Sequence, residues 1–80
     1  MKTLSTRQIE KGLRLLGFEK RSGRGRRDGH EDWVHKSGVK VNPPLRKKEL
    51  HIRTLYALTE ALEGARICCR RDFYKLCMSV

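Results

Sequence analysis

Arg27-Asp28-Gly29-His30-Glu31-Asp32-Trp33-Val34-His35-Lys36-Ser37-Gly38-Val39-Lys40-Val41 is the stretch whose reading decides the fold. It reads as the end of a loop, a short strand beginning near His30, a tight turn at Lys36-Ser37-Gly38 and a returning strand. Gly38 supplies a positive φ at little cost, and Val39 and Val41 fall on one side of the returning strand. Strand parity sets Trp33 and His30 on opposite faces if the strand is regular from residue 30. With Trp33 in the core, His30 then stands on the open face together with Asp32. Ahead of it lies Lys20-Arg21-Ser22-Gly23-Arg24-Gly25-Arg26-Arg27, rich in glycine and positive charge. A proton-transferring side chain thus adjoins a phosphate-attracting loop.

Upstream, Ser5 is a natural helix N-cap, and Gln8 three residues on completes a capping box. Leu4 and Ile9 occupy the flanking staple positions. Ile9, Leu13 and Leu16 recur at helical spacing, with Arg7, Lys11 and Arg14 on the wet side. Gly12 costs about 1 kcal/mol against alanine in a helix interior. Gly17 fits the left-handed position that ends a helix. Phe18 to Ser22 follows as a first strand, with Phe18 facing the core.

Downstream, Asn42-Pro43-Pro44 stops the returning strand, because proline cannot donate to a ladder. A second helix is expected over residues 51 to 63, with Leu55, Leu58 and Leu62 on its stripe and Gly64 as its stop. In the tail, Cys69, Phe73, Leu76, Cys77 and Val80 share a helical face, although Ala65-Arg66-Ile67-Cys68-Cys69 is equally strand-like. The fold class is therefore α+β, in the order α-β-β-β-α. Two helices cover one face of a three-stranded antiparallel sheet, and a C-terminal element is added.

Eighty residues make one small domain, able to bury only about two-thirds of its unfolded surface. Residues 1–64 form the main body and residues 65–80 an extension packed on it. A formal charge of +10 and a pI near 10.2 make nucleic acid the first partner to consider. No apolar run is long enough for a signal peptide or a membrane span. Cys68, Cys69 and Cys77 are an odd number without CxxC spacing and read as reduced thiols of a cytoplasmic protein, most simply small buried hydrophobes. Asp28, His30, Asp32 and His35 share one short strand and cannot converge on a metal. His35 and His51 read as surface residues at a strand end and a helix start. Trp33 is taken as core in preference to a base-stacking platform.

The order of elements resembles that of the HicA family of toxin ribonucleases, which have a double-stranded-RNA-binding-domain-like fold. The similarity is carried by Leu16-Gly17-Phe18, by Gly29-His30-Glu31-Asp32-Trp33 and by Lys48-Glu49-Leu50-His51-Ile52-Arg53-Thr54-Leu55, and it spans residues 4 to 62. It departs at Asp28, where the family often has the glycine of Gly-Ser-His, and at His51 and Arg53, which stand where a proline and glycine are common. The resemblance implies an endoribonuclease that cleaves mRNA or other single-stranded RNA, needs no cofactor and is held in check by a HicB-type antitoxin protein. His30 is then the catalytic residue.

The chemistry is sound for such a residue. Cutting RNA without a metal requires taking a proton from the 2′-hydroxyl, stabilising the phosphorane and protonating the leaving 5′-oxygen. An imidazole does proton steps at neutral pH, and lysine or arginine stabilises the phosphorane. The candidate RNA-binding residues are Lys20, Arg21, Arg24, Arg26, Arg27 and Lys40, with Arg26, Arg27 and Lys40 placed to meet the phosphorane. A second proton-transfer group is not identifiable. Two other readings use the same features: a non-catalytic RNA-binding module of this fold, and a basic subunit whose target is an acidic protein.

If the loop arginines neutralise phosphates, RNA affinity drops steeply with salt, at about −0.7 in log–log slope per phosphate on a single strand. Replacing Arg24, Arg26 and Arg27 with alanine should flatten that slope by roughly two units, measured by binding titrations at several salt concentrations.

Overall fold

The first helix begins where its capping signals put it. In the computed structural model, which describes residues 4–22, 30–45 and 50–79, α1 spans Thr6–Leu16. The Ser5 hydroxyl accepts from the Gln8 backbone N–H at 3.2 Å, and Gln8 Oε1 accepts from the Ser5 N–H at 3.0 Å. Both staple residues, Leu4 and Ile9, are buried. Gly17 ends the helix at φ +99°, and its N–H bonds back to the Arg14 carbonyl at 3.0 Å.

Three strands follow, β1 (Phe18–Ser22), β2 (Asp32–His35) and β3 (Lys40–Val41), antiparallel in the order β1-β2-β3. Gly38 turns β2 into β3 at φ +98°. Directly opposed residues share a face. Phe18 and His35, Lys20 and Trp33, and Trp33 and Val41 therefore stand toward the helices, while Glu19, Val34 and Lys40 face away. Trp33 has no exposed surface. Between Lys20 and Ser22 the register slips by one, leaving Arg21 as a bulge.

The second helix, α2, spans Ile52–Gly64 and buries Leu55, Leu58 and Leu62 on one stripe. Each such side chain contributes about 1.5–3 kcal/mol relative to exposure. His51 is its N-cap, its ring Nδ1 accepting from the Arg53 N–H at 3.2 Å. Gly64 is not the stop that its identity suggests. The chain turns at Arg66, which takes φ +58°, with Arg66 N–H bonding to the Glu63 carbonyl and Ile67 N–H to the Leu62 carbonyl, both at 3.0 Å. This is a Schellman closure with arginine in the left-handed position. Gly64 lies two residues too early to take that position.

The tail forms a third helix, α3 (Arg70–Met78), packed on α1 and α2. A β-carbon at Gly12 would lie 2.5 Å from Cys77 Sγ and 3.2 Å from Phe73 Cε1. The glycine that weakens α1 as an isolated helix therefore lets α3 approach it. Of the cysteines, Cys77 is a buried hydrophobe whose thiol burial pushes up to about 12. Cys68 is half-buried and raised by the same cause, whereas Cys69 is exposed at the N-cap of α3, so the reading of all three as buried holds for Cys77 alone. Arg70 crosses to α2, donating to Thr59 Oγ1 at 3.0 Å with its guanidinium 4.5 Å from the Tyr56 ring centroid.

Because an L-residue pays about 1–2 kcal/mol for the left-handed conformation, Arg66→Gly should stabilise the protein despite the added freedom of its unfolded chain. A net gain of about 1 kcal/mol would raise Tm by roughly 4–8 °C in a thermal melt.

Candidate active site

Strand parity does not decide where His30 lies. Regular pairing starts only at Asp32, so strand parity does not reach back to residue 30. Two bonds to the segment after β3 replace it. The Glu31 N–H donates to the Pro43 carbonyl at 3.0 Å, and His30 Nδ1 lies 2.7 Å from the Asn42 carbonyl. The prolines that end the ladder still accept, and so hold the approach to β2 against the exit from β3.

This arrangement puts His30 in a cleft of about 310 Å³. One wall is Lys40, Val41, Asn42, Pro43 and Pro44, and the other is Thr54, Ala57, Leu58 and Ala61 of α2. The Asn42 carbonyl can only accept, so Nδ1 carries a proton and Nε2 is the nitrogen with the lone pair in the neutral ring. A bonded Nδ1–H holds the neutral ring in one tautomer.

The other two histidines are committed to backbone. His35 Nε2 meets the Leu16 carbonyl at 2.9 Å, and its Nδ1 accepts from the Ser37 N–H at 3.1 Å and meets Ser37 Oγ at 2.8 Å. Its ring stands edge-on to Phe18 with centroids 5.0 Å apart. His35 is thus half-buried and ties the end of α1 to the hairpin turn. A β-carbon on Gly17 would come within 3.4 Å of His35 Nε2. His51 is occupied as the α2 cap.

The expected basic residues divide. Lys40 lines the same cleft as His30. Lys20 is paired with Glu31 (Nζ to Oε2, 3.3 Å), and Arg21 with Glu19 (3.6 Å), the latter pair well exposed. Both lie on or beside β1, at the opposite sheet edge from β3. Arg24, Arg26 and Arg27 lie outside the described residues, so the juxtaposition of loop and histidine does too. Among the described residues, no group of three or more His, Cys, Asp or Glu side chains could hold a metal ion. No described helix is long and apolar enough to cross a membrane.

Glu31 is the site residue that sequence reasoning missed. It is only 8% exposed, and its Oε1 accepts the Trp33 indole N–H at 3.3 Å. The signal was an acid two residues before a core tryptophan, close enough in sequence for its carboxylate to reach the indole N–H. A larger hollow of about 780 Å³ runs along the outside of α1, lined by Ser5, Arg7, Gln8, Glu10, Lys11, Arg14 and Leu15. Its described lining is a single helix without a histidine, so the smaller cleft is the better chemical candidate. Arg7 and Lys11 nonetheless add exposed cations to the surface, while Arg14 lies over the Trp33 ring, 5.3 Å from its centroid.

No protein-family model, curated protein or solved structure matches the chain.

Proposed function

We propose that the protein is a toxin-type endoribonuclease that cleaves single-stranded mRNA by metal-independent acid–base chemistry through His30, and that a HicB-type antitoxin neutralises it. The observation that supports this reading is the 2.7 Å bond between His30 Nδ1 and the Asn42 carbonyl, which favours a neutral ring with its lone pair on Nε2, at a cleft that Lys40 also lines. The net charge of +10 supports an RNA substrate.

In this reaction His30 Nε2 takes the proton of a ribose 2′-hydroxyl. The 2′-oxygen bonds to the adjacent phosphorus, the bond from phosphorus to the 5′-oxygen breaks, and water protonates the departing oxygen. The products are a 2′,3′-cyclic phosphate and a free 5′-hydroxyl. Lys40, an exposed residue at the rim of the cleft, supplies the cation that offsets the charge growing on the phosphorane. Lys20 is the weaker candidate for that role because Glu31 already engages it.

His30→Ala should lower the cleavage rate by about 10²–10⁴. RNA affinity should change far less, since cations elsewhere supply most of it, and the melting curve should be preserved because the ring is only half-buried. Expression of the wild-type protein without an antitoxin should slow growth, and the variant should not. Chelator should leave wild-type cleavage intact. Cleavage by the variant at the wild-type rate would remove His30 from the mechanism and favour the RNA-binding module.

A further inference from the structure

The His30 cleft has more surface than proton transfer needs, and most of that surface is carbon. Pro43 and Pro44 form one side, and Ala57 and Ala61, one turn apart on α2, form the other. Val41 and Leu58 are buried beneath them. Both alanines are exposed, and their small size is what keeps the cleft open. The polar groups that line it are His30, Lys40, Asn42 and Thr54. Its volume sits at the low end of the range for small-ligand sites, about 300–1,000 Å³, and an apolar cleft with a few polar groups is the usual form of such a site.

We infer that this cleft is a subsite for one unpaired nucleobase of the RNA, the base of the nucleotide whose 2′-hydroxyl is attacked. A base has two apolar faces, which match the proline rings and alanine methyls, and polar edges, which match Asn42 and Thr54. In RNA the 2′-hydroxyl and the 3′-phosphate belong to the sugar that carries the base. Lodging the base in the cleft therefore brings its own hydroxyl and phosphate to His30 and Lys40. A paired and stacked base cannot enter, so the substrate is a single strand or a loop with a splayed base. The role given to the hydroxyl rests on the ribonuclease reading, whereas the docking of the base does not.

The test fills the cleft without touching His30 or Lys40. Ala57→Leu and Ala61→Leu stand at exposed helix positions and use a good helix former, so unchanged melting curves should accompany both. Misplacing the reacting atoms by about 1 Å costs on the order of 10²-fold, and each variant should lose about that much in kcat/KM on a single-stranded RNA. The salt slope of RNA binding should stay as in the wild type. The same RNA annealed to its complement should be cut at least about tenfold more slowly by the wild type, because unpairing costs a few kcal/mol.

Binding is read separately, by following the methyl signals of Ala57 and Ala61 in NMR titrations with the four nucleoside 3′-monophosphates and with inorganic phosphate. At least one nucleotide should shift both methyls through its ring current, and phosphate alone should not. Shifted methyls without any RNA cleavage would support the base subsite and remove the ribonuclease reading. Methyls unmoved by every nucleotide, wild-type cleavage by both leucine variants, or equal cleavage of duplex and single strand would each overturn the subsite while leaving His30 catalysis standing.

Discussion

An indole ring with no exposed surface needs an acceptor for its N–H, and in this chain Glu31 Oε1 is that acceptor. The carboxylate is itself nearly buried, and a buried charge is tolerated only with a partner, which Lys20 supplies from the neighbouring strand. Glu31 also donates its backbone N–H to the Pro43 carbonyl. One residue thus anchors the tryptophan, ties β1 to the approach of β2, and fixes where the chain goes after β3. His30 and Asn42 are the immediate neighbours of those two anchored residues. The geometry of the cleft follows from the burial of Trp33.

The helical layer depends on a second close approach. Gly12 gives up helix propensity so that Phe73 and Cys77 of α3 can lie against α1, and the capping box and Gly17 compensate at the two ends. Arg70 bridges from α3 to Thr59 and Tyr56 of α2, so the last helix joins the other two. Since α2 forms one wall of the His30 cleft, packing of the tail bears on the site through that helix. The left-handed Arg66 is the conformational cost of reversing the chain between α2 and α3.

What could be read from the residues alone was what depends on near neighbours. Ser5 with Gln8, the Leu55, Leu58 and Leu62 stripe, Gly17 and Gly38 each carry their signal within a few positions. The face of Trp33 was legible because hydrophobic burial dominates a chain with so few aromatic residues. The start of β2 was not, because it depends on the Pro43 and Asn42 carbonyls twelve residues away, and the parity argument for His30 failed with it. Gly64 misled because glycine marks a helix end only when it lands on the left-handed position. The pairing of Lys20 with Glu31 was not legible because it becomes visible only once strand register is known.

Within the site, Lys40 beside His30 was legible as a pairing of residue types, but the α2 wall of Thr54, Ala57 and Ala61 carried no chemical label in the sequence. The claim on which the catalytic reading turns is that the Asn42 carbonyl holds a proton on His30 Nδ1 and leaves Nε2 basic. Nitrogen-15 NMR of the imidazole rings, recorded through the neutral form, measures this directly. The hydrogen bond to Asn42 predicts that neutral His30 is protonated at Nδ1, in contrast to His35 and His51, whose Nδ1 atoms accept backbone N–H groups. A neutral His30 protonated at Nε2 would contradict it, because Nε2 would then have no lone pair with which to take a proton.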